Sequence, residues 1–250
     1  MLKNNGIELN KTGALRTILA GKKAITEIEG LRKILLRGIV LNYLIFVFLT
    51  ILLNIFFYFN FFKPIIEWIF GFGNEFWMTL GNLVLWSIQL SFAAIITLVS
   101  LRLSIGFLSF WNHSLVNKII GYFRNDYKKK LPLESFLKEI VFFFIGAFRE
   151  SLFPILLLVI SLIPFIGLLI VFLIESHLLG KQCIVVYLEN LNDLEENDLL
   201  KKRLRWLPVR MGWLPSLLTF IPLIGWILLP ITLSYQVIGF AYNAELIRNS

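Results

Sequence analysis

The sequence is short of the residues that usually carry chemistry. A single cysteine, Cys183, excludes an internal disulfide and a cysteine-built metal cluster. Two histidines, His113 and His177, stand alone and lack the H-x-x-x-H spacing of a helical zinc site. No P-loop, nucleophile elbow or dinucleotide fingerprint occurs. The acidic residues do not pair within the apolar runs. An enzyme is therefore not expected, nor a metal or an organic cofactor. Charge is scarce too, at 16% of 250 residues, while 58% are hydrophobic and the mean hydropathy is +0.78. That balance excludes an ordinary soluble domain and predicts one integral membrane domain over residues 1–250. The net charge of +8 is read as the basic excess of a cytoplasmic membrane face, not as a nucleic-acid footprint. Phe dominates the aromatics and is spread through apolar runs, so these read as packing and not as a base-stacking platform. Residues 1–37 hold eight Lys or Arg and no apolar core of signal-peptide length.

What is present is a set of long apolar runs. Gly38–Phe62 has 25 residues without a charge, enough to span a ~30 Å hydrocarbon layer with tilt. Phe76–Leu101 is a second uncharged run, and apolar character continues to Trp111. Two long helices are predicted, over 38–62 and 76–111, with Trp68 and Trp77 near a headgroup boundary. Ahead of them, residues 1–37 mix Leu15, Ile18, Leu19, Ile25 and Ile28 with Lys11, Arg16, Lys22 and Lys23. The helix-like recurrence predicts a basic amphipathic segment at the bilayer surface.

Two further runs, 141–174 and 212–244, are interrupted. Ile163-Pro164-Phe165-Ile166-Gly167 has a near copy in Ile221-Pro222-Leu223-Ile224-Gly225. Pro breaks the helical hydrogen-bond ladder, and Gly permits backbone angles that other residues avoid. Broken segments at corresponding positions point to binding sites in membrane transport proteins. Charge placement argues that each run enters and returns. The segments 1–37, 102–140 and 175–211 carry eight, seven and six Lys or Arg, but 63–75 carries one. A single crossing by 141–174 would move six cations to the poorly charged side. Two partly penetrating hairpins keep the basic segments together, with both termini cytoplasmic. Pro164, Gly167, Pro222 and Gly225 are the predicted turns and candidate path-lining residues.

The sharpest local feature is Gly30-Leu31-Arg32-Lys33, just before the first long run. A helix start there would leave backbone N–H donors exposed, with Gly30 allowing close approach. Arg32 offers a planar donor fork suited to tetrahedral oxyanions, and Lys33 adds charge. Ordinary juxtamembrane charge that fixes orientation explains the same residues.

Taken in order, these motifs resemble the CysZ sulfate permease family, also described as the etoposide-induced membrane protein family. The resemblance runs from Gly30-Leu31-Arg32-Lys33 through the two uncharged helices and both Ile-Pro-x-Ile-Gly breaks, and includes the basic stretch Leu199–Arg205. Three positions depart from the family pattern: Ile28-Glu29, Gly38 and Trp111-Asn112. The resemblance implies an all-α membrane protein with two long transmembrane helices and two partly penetrating hairpins. It implies sulfate uptake across a bacterial inner membrane for cysteine synthesis, with Gly30, Leu31, Arg32 and Lys33 binding the anion. Sulfate or a related oxyanion and the lipid bilayer are the expected partners, and a homo-oligomer is compatible. The alternative is a non-transporting relative that organises lipid or acts as a scaffold.

Overall fold

Close helix crossings at small residues organise the molecule. The computed structural model describes residues 13–65, 75–124, 166–191, 206–221 and 223–249. Among them every regular element is helical and none is a strand, as expected for an all-α membrane protein. The helices are α1 (Ala14–Glu27), α2 (Leu31–Phe57), α3 (Glu75–Phe123), α4 (Ile166–Glu189), α5 (Leu207–Thr219) and α6 (Ile224–Asn249). Among the described residues three helices, Leu31–Ile65, Leu169–Glu189 and Ile224–Asn249, are long and apolar enough to cross a membrane.

Each helix has one preferred partner, and the partnerships follow from side-chain size. Gly21 of α1 faces Gly239 of α6. A Cβ built on Gly239 would sit 1.7 Å from the Thr17 carbonyl oxygen, and one on Gly21 would sit 2.2 Å from that of Tyr235. Gly180 of α4 faces Gly212 of α5 in the same way, with the Ser176 carbonyl oxygen 1.7 Å from a Cβ on Gly212. Without side chains at these points the two backbones touch, which is how membrane helices gain van der Waals contact. The third pair is α2 with α3. Gly38 packs on Trp111, whose Cβ lies 3.0 Å from the position of an added methyl. A bulky ring on one helix is matched by a missing side chain on the other.

The α1–α2 turn depends on Gly30, which adopts φ 78°. An L-residue in this left-handed region costs about 1–2 kcal/mol. Ile28 closes α1 by donating to the Ala24 carbonyl, and Leu31 donates to Ile28. The inward face of α1 is made of Ala14, Thr17, Gly21 and Ala24, while Leu15 and Leu19 are exposed.

Side-chain contacts set the helix directions. Gly38–Trp111 and Asn42–Ser104 make α2 antiparallel to α3. Arg102–Glu175 and His113–Glu189 make α4 parallel to α3. Asn112–Ser234 and Arg124–Glu245 make α6 parallel to α3 as well. The start of α2 and the ends of α3, α4 and α6 therefore share one end of the bundle. That end, the basic end, displays Arg32, Lys33, Lys118 and Arg248.

The helices do not reach equally far from it. Tyr43 donates its hydroxyl to the Ile227 carbonyl, which places the beginning of α6 beside Tyr43. From Tyr43 the first long helix continues through a π-helical turn, Tyr58–Phe62, to Ile65. At 1.5 Å per residue that is roughly 33 Å further. The connection between α5 and α6 thus stands partway along the first long helix. Beyond it the first long helix and its π-helical turn expose Val47, Phe48, Ile51, Ile55, Phe56 and Phe59, a surface suited to lipid.

Two boundaries differ from those expected. The third apolar element continues past 174 as helix to Glu189, and Cys183, Ile184, Val186, Tyr187 and Leu188 are buried. Their polar neighbours Glu175, Gln182 and Asn190 sit at packed positions, so hydropathy marks a stop that the helix does not make. Likewise α3 runs past Trp111 to Phe123, because Leu115, Val116, Ile119 and Ile120 pack into the core. The first arm of the 141–174 run lies outside the described residues.

Candidate functional site

A file of polar side chains runs between the three helix pairs, through an otherwise apolar core. Its innermost members are Arg102 of α3 and Glu175 of α4, which form an ion pair with side chains 11% and 8% exposed. Burying two charges is costly unless each is compensated, and inside a membrane such a pair is by default a functional candidate. Towards the basic end, Ser234 donates to the Asn112 side chain at 3.2 Å, and Gln236 donates to the Met211 carbonyl at 2.8 Å. A narrow cavity lies beside them, lined by Ser109, Asn112, Gln182, Cys183, Leu233 and Val237.

The file ends in two charged clusters. Asn190 donates at 2.8 Å to His113 Nδ1 and also to the Val186 carbonyl, and the ring's other nitrogen is Nε2. That atom lies 3.3 Å from a Glu189 carboxylate oxygen. Next to it, Glu245 is fully buried. Arg124 grips it with two donors, and Tyr187 donates to the same carboxylate at 2.9 Å. A two-pronged guanidinium contact is the strong form of this interaction. From Arg102 to Arg124 the file follows α3 for about 33 Å.

The residues singled out from the sequence lie elsewhere. Gly30 is the N-cap of α2, with Arg32 and Lys33 exposed in its first turn. Leu31 faces the opposite way and is fully buried. Gly30, Arg32 and Lys33 thus sit together at the basic end, with Leu31 anchoring them to the core. Gly167 is buried in the first turn of α4. Pro164 and Pro222 lie outside the described residues. Gly225 does not supply the turn. It is helical, and its missing side chain makes room for the Leu218 carbonyl oxygen, 1.9 Å from an added Cβ. The left-handed residue is Leu223, at φ 60°.

Sequence reading missed the file because Arg102 and Glu175 each look like the end of an apolar run. The available signal was periodicity. Arg102, Ser109 and Asn112 share one face of α3 at spacings of seven and three. Among the described residues no group of three or more His, Cys, Asp or Glu could hold a metal ion.

Long apolar helices, lipid-facing surface and a buried polar seam define a multi-helix integral membrane protein. The profile of the family described as Sulfate transporter CysZ/Etoposide-induced protein 2.4 matches residues 18–230. The chain belongs to that family. No curated protein matches it.

Proposed function

We propose that the protein carries sulfate, or a closely related oxyanion, across the bacterial inner membrane into the cytoplasm for cysteine synthesis. The observation that carries this reading is the polar file at the meeting of the three helix pairs. Apolar packing alone would not place an Arg–Glu pair, amides and hydroxyls along one seam of a membrane bundle. The role is transport and not catalysis. Gly30, Arg32 and Lys33 meet the anion at the basic end, and Leu31 holds them in place. The shortfall of the α5–α6 turn along α2 supports a partly penetrating hairpin, with the left-handed Leu223 at the start of its second arm. Pro164, Gly167 and Pro222 are proposed as path-lining residues. The gathering of Arg32, Lys33, Lys118 and Arg248 at one end supports cytoplasmic N- and C-termini.

Reconstitution into liposomes and uptake of radiolabelled sulfate tests the reading. Uptake should saturate, and Arg32→Ala should slow it by about tenfold through loss of a charge-assisted contact. Unchanged uptake in Arg32→Ala would remove the capture role, and no uptake by the parent would remove transport. A second reading, lipid organisation, is favoured by α1, where exposed Leu15 and Leu19 lie among Arg16, Lys22 and Lys23. It predicts salt-sensitive binding to anionic vesicles without saturable sulfate uptake.

A further inference from the structure

The first long helix carries its own measure of the bilayer. No charge occurs between Arg37 and Lys63, and the exposed side chains from Val40 to Phe61 include Leu44, Phe48, Ile51 and Phe56. At 1.5 Å per residue that stretch is roughly 32 Å long, close to the ~30 Å of a hydrocarbon core. Arg37 therefore marks the hydrocarbon boundary at the basic end. It has no part in the polar file or in the Gly30–Lys33 motif.

One face of α2 runs across that boundary. Lys33, Arg37, Val40 and Leu44 follow one another at helical spacing, and all four are exposed, as is Leu36 beside them. Within one turn the face changes from cations to apolar side chains. The opposite face, with Leu31, Leu35, Gly38, Ile39 and Asn42, is buried, so packing fixes the exposed face toward the surroundings.

α1 lies just outside the same boundary. Gly38, next to Arg37, packs on Trp111, and the adjacent Asn112 meets Ser234. From Ser234 to the Gly239 crossing with α1 is roughly 8 Å along α6, toward the basic end. That is headgroup depth, since headgroups add about 5–8 Å on each side of the hydrocarbon. There α1 exposes Leu15 and Leu19 together with Arg16, Lys22 and Lys23. Residues 13–40 hold six Lys or Arg, all exposed, against two Glu, of which Glu27 is engaged by Tyr242 and Lys23. Cations directly over apolar side chains match an anionic phospholipid, whose phosphate sits over its acyl chains. A dissolved oxyanion gains nothing from the leucines.

We propose that the exposed α1–α2 corner binds anionic phospholipid, with Lys33 and Arg37 holding the phosphate and Leu36, Val40 and Leu44 lying along an acyl chain. The site goes beyond the transport reading and does not rest on it, because a transporter and a lipid organiser would both carry it. Lys33 is shared with the anion-capture set, so the test turns on Arg37.

The full chain, purified in detergent, is titrated with phosphatidylglycerol or with phosphatidylcholine of the same acyl chains. Thermal unfolding reads stabilisation, and native mass spectrometry counts bound lipid. The parent should respond to phosphatidylglycerol at lower concentration than to phosphatidylcholine. Each Lys or Arg near an anionic headgroup contributes about fivefold in affinity. Arg37→Gln should therefore need about fivefold more phosphatidylglycerol, with its phosphatidylcholine response unchanged, and Arg37→Lys should stay close to the parent. Lys118→Gln should match the parent, since Lys118 is an exposed cation at the same end whose helix neighbours Leu115 and Ile119 are buried. No headgroup preference in the parent, or equal losses in Arg37→Gln and Lys118→Gln, would overturn the site. So would glycerol phosphate reproducing the effect of the lipid, which would make the corner a site for a free anion. Sulfate uptake by the parent is read separately. Its absence removes transport and leaves the lipid preference standing; uptake without any Arg37 effect on lipid does the reverse.

Discussion

Gly239→Ala is expected to be the most informative stability change. Its added Cβ would lie 1.7 Å from the Thr17 carbonyl oxygen and 2.7 Å from the Gly21 nitrogen. Both are backbone atoms in the middle of α1, so no rotamer change relieves the overlap. A carbon and an oxygen settle at roughly 3.3 Å, so the helices must part by well over 1 Å. That separation removes contact along the Ala14, Thr17, Gly21 and Ala24 face of α1. Overpacking of this kind costs about 1–3 kcal/mol, or roughly 2–12 °C in Tm for a chain of this size. The control is the same substitution at Gly121, where nothing lies within 4 Å of an added Cβ and the residue is helical. There Ala improves helix propensity, by up to about 1 kcal/mol in the opposite direction. Thermal unfolding in detergent, followed by circular dichroism, reads both. Proteolysis should also release α1 faster in Gly239→Ala. Equal Tm changes at the two glycines would refute the crossing as a determinant of stability.

The remaining expectations concern other joints of the bundle. Glu245→Ala removes the two-donor contact with Arg124 and should cost about 1.5–3 kcal/mol, whereas Tyr187→Phe, which removes its hydrogen bond to Glu245, should cost about 1 kcal/mol; unfolding midpoints order the two. Gly38→Ala should destabilise by about 1 kcal/mol and, because the nearest atom is the Trp111 Cβ, be relieved in a Trp111→Gly background, so a double-mutant cycle should give coupling of at least about 0.5 kcal/mol, and additive effects would mean the two do not compensate. Cys183 is fully buried and is a silent background for thiol labelling. A cysteine at exposed Lys118 should therefore resist an impermeant maleimide in intact cells and react after permeabilisation, and reaction in intact cells would reverse the orientation.

Class and broad layout were legible because they depend on composition and run length, which are local. An uncharged stretch such as Gly38–Phe62 must bury its backbone in helix wherever lipid surrounds it, whatever its neighbours are. Gly30 was legible as a helix start for the same reason. Its left-handed φ is a property of the turn and needs no partner.

Pairing was not legible, because it depends on two distant backbones. Gly21 and Gly239 are ordinary glycines until their helices cross, and neither carries a mark naming the other. Arg102 and Glu175 each look like the edge of an apolar segment; only the packing of α3 beside α4 turns two edges into one buried ion pair. Even Gly225 was assigned the wrong task from sequence, since space beside Leu218, and not a special backbone angle, is what its position demands. Hydropathy is a sum along the chain and so determined the solvent of each segment. Which polar groups face one another is a sum across the chain, and the tertiary structure alone decided it.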